Sequence, residues 1–138
     1  MLGRRTSFVA LAHEPGDLPL AHASSLSRGV VGASGYMIGY VYKNENTFSS
    51  STVIWEKSTD EGGSFTVVTD DSGSGGDYAI TYTDVVEYGG TGTGRWRGKT
   101  VLTISNLEST DYGLYRIKAV HGSNSSYSKH NFDFSNPV

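Results

Sequence analysis

The feature that most limits how this chain can fold is a series of short runs in which apolar side chains recur at every second position. Turn-forming residues separate these runs. Val53 and Trp55 share one face of a predicted strand, and Tyr78, Ile80 and Tyr82 recur at every second position of another. Successive side chains of a β-strand point to opposite faces, so this period predicts strands with one buried face. The 18 glycines and the long Ser and Thr stretches also favour strands and turns over helices. The sequence therefore predicts an all-β protein.

The predicted strands form one domain rather than two. Residues 1–34 alternate short apolar pieces with breakers such as Pro15 and Pro19, which favours an edge strand interrupted by a kink. The Gly-rich run at 89–94 lies between two strands that need each other for burial, so we interpret it as a hairpin loop. We expect a single domain over 1–138, with its core at about 30–135 and with 1–29 as an edge strand or partly flexible segment. The other strands, which bring the total to about eight or nine, are predicted at 36–42, 51–57, 64–69, 77–88, 99–107, 112–120 and 126–134.

Charge and cysteine content exclude several kinds of partner and chemistry. The net charge is only -3, from 11 basic and 14 acidic residues scattered along the chain, so nothing favours nucleic acid or an anionic membrane. The sequence has no cysteine, which excludes disulfides, thiolate metal sites and a cysteine nucleophile. No apolar run approaches the roughly 20 residues that span a bilayer, and we expect no direct membrane insertion. The missing cysteines suit the cytoplasm but do not exclude secretion.

The most specific pattern of the sequence lies between residues 102 and 117. It reads Leu-x-Ile-x-x-Leu and then Asp-x-Gly-x-Tyr-x-Ile, with Asp111, Gly113 and Tyr115 in its second half. Asp111 and Gly113 suit a tight corner, where glycine tolerates a positive φ. The ring of Tyr115 can enter the core while its hydroxyl bonds back to the backbone, which is called a tyrosine corner. The pattern therefore predicts a corner that leads into a half-buried strand.

This stretch resembles the signature that joins strands E and F of immunoglobulin domains, and Trp55 with Lys57 is similar to their strand C. The resemblance implies an immunoglobulin-like, two-sheet antiparallel β-sandwich with Greek key connections. The 62 residues from Trp55 to Ile117 leave room for extra strands and imply V-type topology. The structural core implied in this way, together with the residues of the corner, consists of Val41, Trp55, Leu102, Ile104, Asp111, Gly113, Tyr115 and Ile117.

The chain also departs from the immunoglobulin pattern. The resemblance carries the two cysteines of the family's inter-sheet disulfide onto Val41 and Ile117, with Gly39 as the alternative for the first. Packing against Trp55 must then replace a cross-link that typically contributes roughly 2 to 5 kcal/mol. The arginine that often opens strand D and pairs with the corner aspartate has no clear counterpart. The Gly-x-Gly bulge of receptor-type G strands is missing as well.

The sequence contains no constellation that points to catalysis, a metal or a cofactor. The Asp70-Asp71 and Asp60-Glu61 pairs lack the alternating oxygen ligands of a calcium loop and are best interpreted as solvated turns. No Gly-x-Ser-x-Gly elbow accompanies the serines. We therefore expect no enzyme activity, no metal site and no cofactor. No two of the four histidines have metal-ligand spacing, and these are His13, His22, His121 and His130.

The function implied by the resemblance is protein recognition by an exposed sheet or loop. The outward positions of the predicted C-F-G sheet mix apolar, aromatic and charged groups, which suits a modest interface, although an ordinary solvated face fits equally. The candidate partner-binding residues are Ile54, Glu56, Arg116, Lys118 and Tyr127.

We expect a cell-surface or secreted adhesion or receptor domain whose partner is another protein, including a second copy of itself. Asn124 begins an N-glycosylation sequon in a predicted loop and is a candidate site for a glycan. Two alternatives stay open, an intracellular structural immunoglobulin domain of a muscle or cytoskeletal scaffold and a viral or phage surface decoration domain.

Overall fold

The computed structural model describes residues 31–134 and, by their backbone, residues 20–24. Within these residues the chain is all-β. Predictions for 1–19, 25–30 and 135–138 lie outside the described residues, including the kink at the two prolines and His13. No helix in the described part is both long enough and apolar enough to cross a membrane.

Nine strands follow one another along the described chain, with two short 3-10 turns, Ser72–Ser74 and Ser109–Asp111, between them. Their periods of burial match the alternation in the sequence: β2, for example, buries every second residue from its first to its last. The strands are β1 Leu20–Ser24, β2 Gly35–Lys43, β3 Val53–Ser58, β4 Thr66–Val67, β5 Tyr78–Glu87, β6 Trp96–Ile104, β7 Gly113–His121, β8 Asn124–Tyr127 and β9 Phe132–Phe134.

The strands form two antiparallel sheets. The first has the order β1-β2-β6-β5, and the second has the order β4-β3-β7-β8, with β9 also paired to β7. In the first sheet, β5 and β6 are consecutive and joined by the Gly-rich turn at 89–94, which confirms that this run is a hairpin loop. Residue pairs run from Gly35–Ile104 to Lys43–Trp96 between β2 and β6. The arrangement is consistent with a β-sandwich.

One hydrophobic core takes residues from both sheets. Val41 of β2 and Leu102 and Ile104 of β6 come from the first sheet, while Trp55 of β3 and Ile117 of β7 come from the second, and each is 0% exposed. These residues lie at the inward positions that the period-two pattern predicts. The cluster is completed by Met37, Val53, Leu107, Tyr115, Ala119, Phe132 and Phe134.

A polar tie joins the two sheets through this core. The indole N–H of Trp55 donates to the hydroxyl of Thr100 at 2.9 Å, and Thr100 is 2% exposed on β6. Trp55 also packs its ring against Phe132, with 5.1 Å between centroids. Because a buried indole N–H needs an acceptor, Thr100 allows the largest core side chain to be buried completely.

The corner before β7 has the geometry that the sequence predicts. The hydroxyl of Tyr115 donates to the carbonyl of Asp111 at 2.5 Å, which is the bond expected of a tyrosine corner. Asp111 is 8% exposed, and one of its carboxylate oxygens accepts a bond from the backbone N–H of Glu108 while the other accepts one from the Tyr78 hydroxyl. Tyr78 is the first residue of β5, so this bond ties the corner to the first sheet.

Three predicted strands were wrong in extent. The strand predicted at 99–107 is β6, Trp96–Ile104, which begins and ends three residues earlier. The strand predicted at 64–69 is reduced to Thr66–Val67, which pairs with Lys57 and Glu56 of β3. The strand predicted at 126–134 is two strands, because β8 pairs with the end of β7 and β9 with its beginning. Between them, the backbone N–H of Ser128 donates to the carbonyl of Ile117 at 2.8 Å, and the hydroxyl of Ser128 accepts from the backbone N–H of Ile117 at 3.1 Å. A serine therefore continues the ladder where the strand breaks.

Candidate functional site

The outward side of the second sheet brings together all five predicted partner-binding residues. In one row across the sheet, Ile54 lies opposite Lys118, and Lys118 lies opposite Tyr127. In the next row, Val67 lies opposite Glu56, and Glu56 lies opposite Arg116. We call this surface the outer face, and it consists of Ile54, Glu56, Phe65, Val67, Arg116, Lys118 and Tyr127.

Arg116 is the centre of the outer face. Its guanidinium carbon lies 3.8 Å from the ring centroid of Phe65 and 3.8 Å from that of Tyr127. Its Nε donates to the carboxylate of Glu56 at 2.7 Å. A cation over an aromatic ring is stabilised by about 0.5 to 2 kcal/mol, depending on how far it is desolvated. Two rings and one carboxylate therefore hold the guanidinium in a defined orientation.

The face is less open than its outward direction predicts. Glu56 is only 9% exposed, and the side chain of Arg116 is 24% exposed. Ile54 and Lys118 are half-buried. Only Tyr127, at 45%, and Val67, at 62%, present large apolar surfaces to solvent. The outward side chains pack on one another, and Glu56 is covered by this packing.

Two residues of the face were not among the predicted binding residues. Phe65 and Val67 belong to the hairpin after β3, which folds back so that its apolar residues lie beside Glu56 and Arg116. Their signal in the sequence was the same alternation that identified the other strands, since they are two positions apart. What the sequence did not show is which sheet face the hairpin would cover.

One end of the domain holds a second polar cluster. Lys43 is 2% exposed, and its ammonium donates to the carbonyl of Val120 at 3.2 Å and to the hydroxyl of Thr47 at 3.3 Å. Burial lowers the pKa of Lys43, and the nearby Glu45 opposes this in part. Glu45 also lies 3.7 Å from the imidazole of His121. These contacts tie the loop after β2 to the end of β7, which is a structural role.

Asn124 lies at the same end, as the first residue of β8, and not in a loop as the sequence predicted. Asn124 is exposed, and its backbone pairs with that of His121 on β7. The side chain of the predicted sequon is therefore accessible to a modifying enzyme.

The carboxylates of the acidic turns accept hydrogen bonds from groups of the domain itself. Hydrogen bonds from the hydroxyls of Ser58 and Ser64 lower the pKa of Asp60 to about 2. The pKa of Asp70 is also lowered, first by the backbone N–H of Ile80 and then by Ser72. Within residues 31–134, no group of three or more His, Asp or Glu side chains could hold a metal ion. The carboxylates serve the turns in which they lie.

The outward side of the first sheet has a different character. Tyr36, Tyr40 and Tyr42 follow one another along β2, and Arg97 of β6 lies 5.5 Å from the ring centroid of Tyr40. The Nε of Arg97 is buried and has no hydrogen-bond partner within the described part of the chain. Tyr42 packs edge-on against Tyr88 at 5.3 Å. This surface is aromatic and basic, and among the described residues no carboxylate accepts a bond from the Nε of Arg97 as Glu56 does from that of Arg116.

No family model matches the sequence, and a search of curated proteins finds no match either.

Proposed function

We propose that the chain is an immunoglobulin-like domain of V-type character. The sheet orders β1-β2-β6-β5 and β4-β3-β7-β8 support this, because they match the A-B-E-D and C′-C-F-G orders of immunoglobulin sandwiches. Greek key connections between the two sheets are part of this proposal. A buried tryptophan on the third of these strands and a tyrosine corner before the seventh also fit the family. The short β4 takes the place of C′, and no strand takes the place of C″ within residues 59–77.

We further propose that the domain recognises another protein through the outer face. The observation that carries this proposal is the arginine held between two aromatic rings, with exposed apolar groups on either side of it. Interface hot spots are enriched in Tyr and Arg and tend to lie at the centre of a patch that can exclude water. Building Arg116 into such a stack costs side-chain entropy, and a solvated sheet face does not require it. A role in adhesion or as a receptor at the cell surface or in secretion follows from this proposal, with Asn124 as a glycan site.

The test of recognition is a binding screen against arrayed extracellular and intracellular proteins, with the domain presented as a multimer. The matched variants are Val67→Asp, on the outer face, and Val86→Asp, on the first sheet, where Val86 is 41% exposed. We expect at least one partner whose binding is lost with Val67→Asp and kept with Val86→Asp. Partners that are insensitive to Val67→Asp, or equally sensitive to both changes, would contradict recognition through this face.

Self-association is the version of this proposal that can be tested first. We expect sedimentation velocity to show a concentration-dependent dimer that Val67→Asp and Ile54→Asp weaken and Val86→Asp does not. A species that remains monomeric at all concentrations removes the self-binding version and leaves a different protein as the partner.

The second candidate is a structural immunoglobulin domain inside the cell. The absence of cysteine favours it, because such a domain must be stable without a disulfide. Here the core is closed instead by packing and by the tie between Trp55 and Thr100. Surface biotinylation of cells that produce the native protein separates the two candidates, since labelling of the intact cell supports only the first.

A further inference from the structure

The guanidinium of Arg116 has donors that the domain itself does not use. An arginine carries five N–H donors, and the Nε–H of Arg116 is bonded to Glu56. Among residues 31–134, nothing accepts a hydrogen bond from its two terminal nitrogens. The rings of Phe65 and Tyr127 cover the flat faces of the group, so only its edge is left for a ligand. That edge is a planar pair of donors held at a fixed angle.

The charge around this edge is positive. Arg116 and Lys118 supply two cations to the outer face and Glu56 supplies one anion, which leaves +1 on a chain whose net charge is -3. The ammonium of Lys118 lies 5.9 Å from the same Tyr127 ring. Asp133 of β9 also points outward, opposite Leu114 of β7, and it has an interaction of its own. The seven residues of the outer face therefore carry a net positive charge, which a carboxylate of a partner would balance.

We propose that Arg116 is the specificity-determining residue of the outer face and that it selects a protein partner presenting an Asp or Glu side chain. The two terminal N–H groups bind the carboxylate in a bidentate pair, and the surrounding Val67 and Tyr127 contact apolar residues beside it. This inference rests on the proposed function, because it names the chemistry of the partner for that same face. Glu56 contributes by holding the Nε, so that the free edge of the guanidinium points to the partner.

The probe for this inference is a phage-displayed library of random dodecapeptides, selected on the immobilised wild-type domain. We expect the enriched peptides to share an Asp or Glu flanked by apolar residues. Replacing that carboxylate by its amide in the synthetic peptide should weaken binding by about 30-fold, as expected for one partner of a desolvated charge pair. This comparison needs no variant of the domain and is independent of any effect on folding.

The matched variants of the domain are Arg116→Gln, Arg116→Lys and Lys118→Gln. Arg116→Gln should weaken binding of the acidic peptide by about 30-fold and leave binding of the amide peptide unchanged. The effects of changing Arg116 and of changing the peptide carboxylate are then not additive. Arg116→Lys should also weaken it, because lysine keeps the charge but lacks the planar pair of donors. Lys118→Gln should have a much smaller effect. Equal effects of Arg116→Gln and Lys118→Gln would overturn the inference in favour of unspecific charge attraction.

Two other outcomes separate this inference from the proposed function. If the enriched peptides carry no acidic residue but still lose binding with Val67→Asp and not with Val86→Asp, selection by Arg116 is wrong and recognition by the face stands. If no enriched peptide depends on the outer face, both are overturned.

Discussion

At the scale of single residues, the side chains with the most specific roles are those that satisfy a polar group inside the core. Trp55 was predicted to point inward, and it does, but its acceptor on the opposite sheet was not foreseen. Thr100 lies 45 positions further along the chain. Its hydroxyl lets an indole N–H be buried without losing its hydrogen bond, so a threonine at an inward position of β6 is required there rather than merely tolerated.

We expect Thr100→Val to lower the free energy of unfolding by about 1 to 3 kcal/mol, because the isosteric side chain leaves the indole N–H of Trp55 buried without an acceptor. Urea unfolding followed by tryptophan fluorescence measures the change. The control is Thr103→Val on the outward side of the same strand, where Thr103 is half-buried, and it should change stability by less than about 0.5 kcal/mol. Equal losses in the two variants would show that the hydrogen bond contributes nothing specific.

At the scale of elements, backbone geometry at the strand ends determines how the second sheet is assembled. Gly113 begins β7 with a φ of +157°, and a Cβ on it would lie 2.6 Å from the carbonyl oxygen of Ser58 at the end of β3. That distance is shorter than any real contact of a Cβ, and the group in the way is backbone. The glycine of the corner is therefore needed for the close approach of two strands, in addition to its freedom in φ.

We expect Gly113→Ala to destabilise the domain by about 2 to 4 kcal/mol, because β3 and β7 must separate or the corner must distort. Gly73→Ala is the matched control, since a Cβ on Gly73 meets nothing within 4 Å, and its effect should stay below about 0.5 kcal/mol. Thermal unfolding of both variants by circular dichroism gives the comparison. A melting temperature of Gly113→Ala equal to that of the control would contradict the close approach.

At the scale of the whole molecule, buried tyrosines connect the folding of the domain to alkaline pH. Burial raises the pKa of Tyr82 to about 12 and also holds the pKa values of Tyr78 and Tyr115 above the ordinary 10.0. The folded state then keeps protons that the unfolded state releases above pH 10, so stability falls as the pH rises. Burial lowers the pKa of Lys43 and Lys57, which acts in the opposite direction, but only below the ordinary lysine value of 10.5.

We expect the urea midpoint of the wild-type domain to fall steeply between about pH 10.5 and about pH 12, within the window set by these tyrosines. Tyr78→Phe should lower the midpoint at neutral pH, because Asp111 loses a hydrogen bond, and should make the alkaline decline less steep. Tyr36→Phe is the control for one exposed phenol, with Tyr36 at 42% exposure, and should leave the decline unchanged. A midpoint that stays constant up to pH 12 would be incompatible with buried protonated phenols.

The outer face shows where sequence reasoning reaches its limit at this scale. Ile54, Glu56, Arg116, Lys118 and Tyr127 could be assigned to one face because the period of each strand is local. The order of the strands across the sheet could be expected only through the resemblance to a known family. The stacking of Arg116 could not be predicted, because it joins side chains from β7, β8 and the hairpin after β3.

The sequence by itself determined that the described chain is all-β, which faces of its longer strands are buried and where the corner before β7 lies. These properties depend on neighbours one to six positions apart, and they are set by the pleat of a strand and by the conformations open to Gly and Tyr. Only the tertiary structure decided that Thr100 satisfies Trp55, that Tyr78 reaches Asp111 and that Phe65 covers Arg116. Each of these contacts joins residues that are distant in the chain, and they depend on how the two sheets and their hairpins pack.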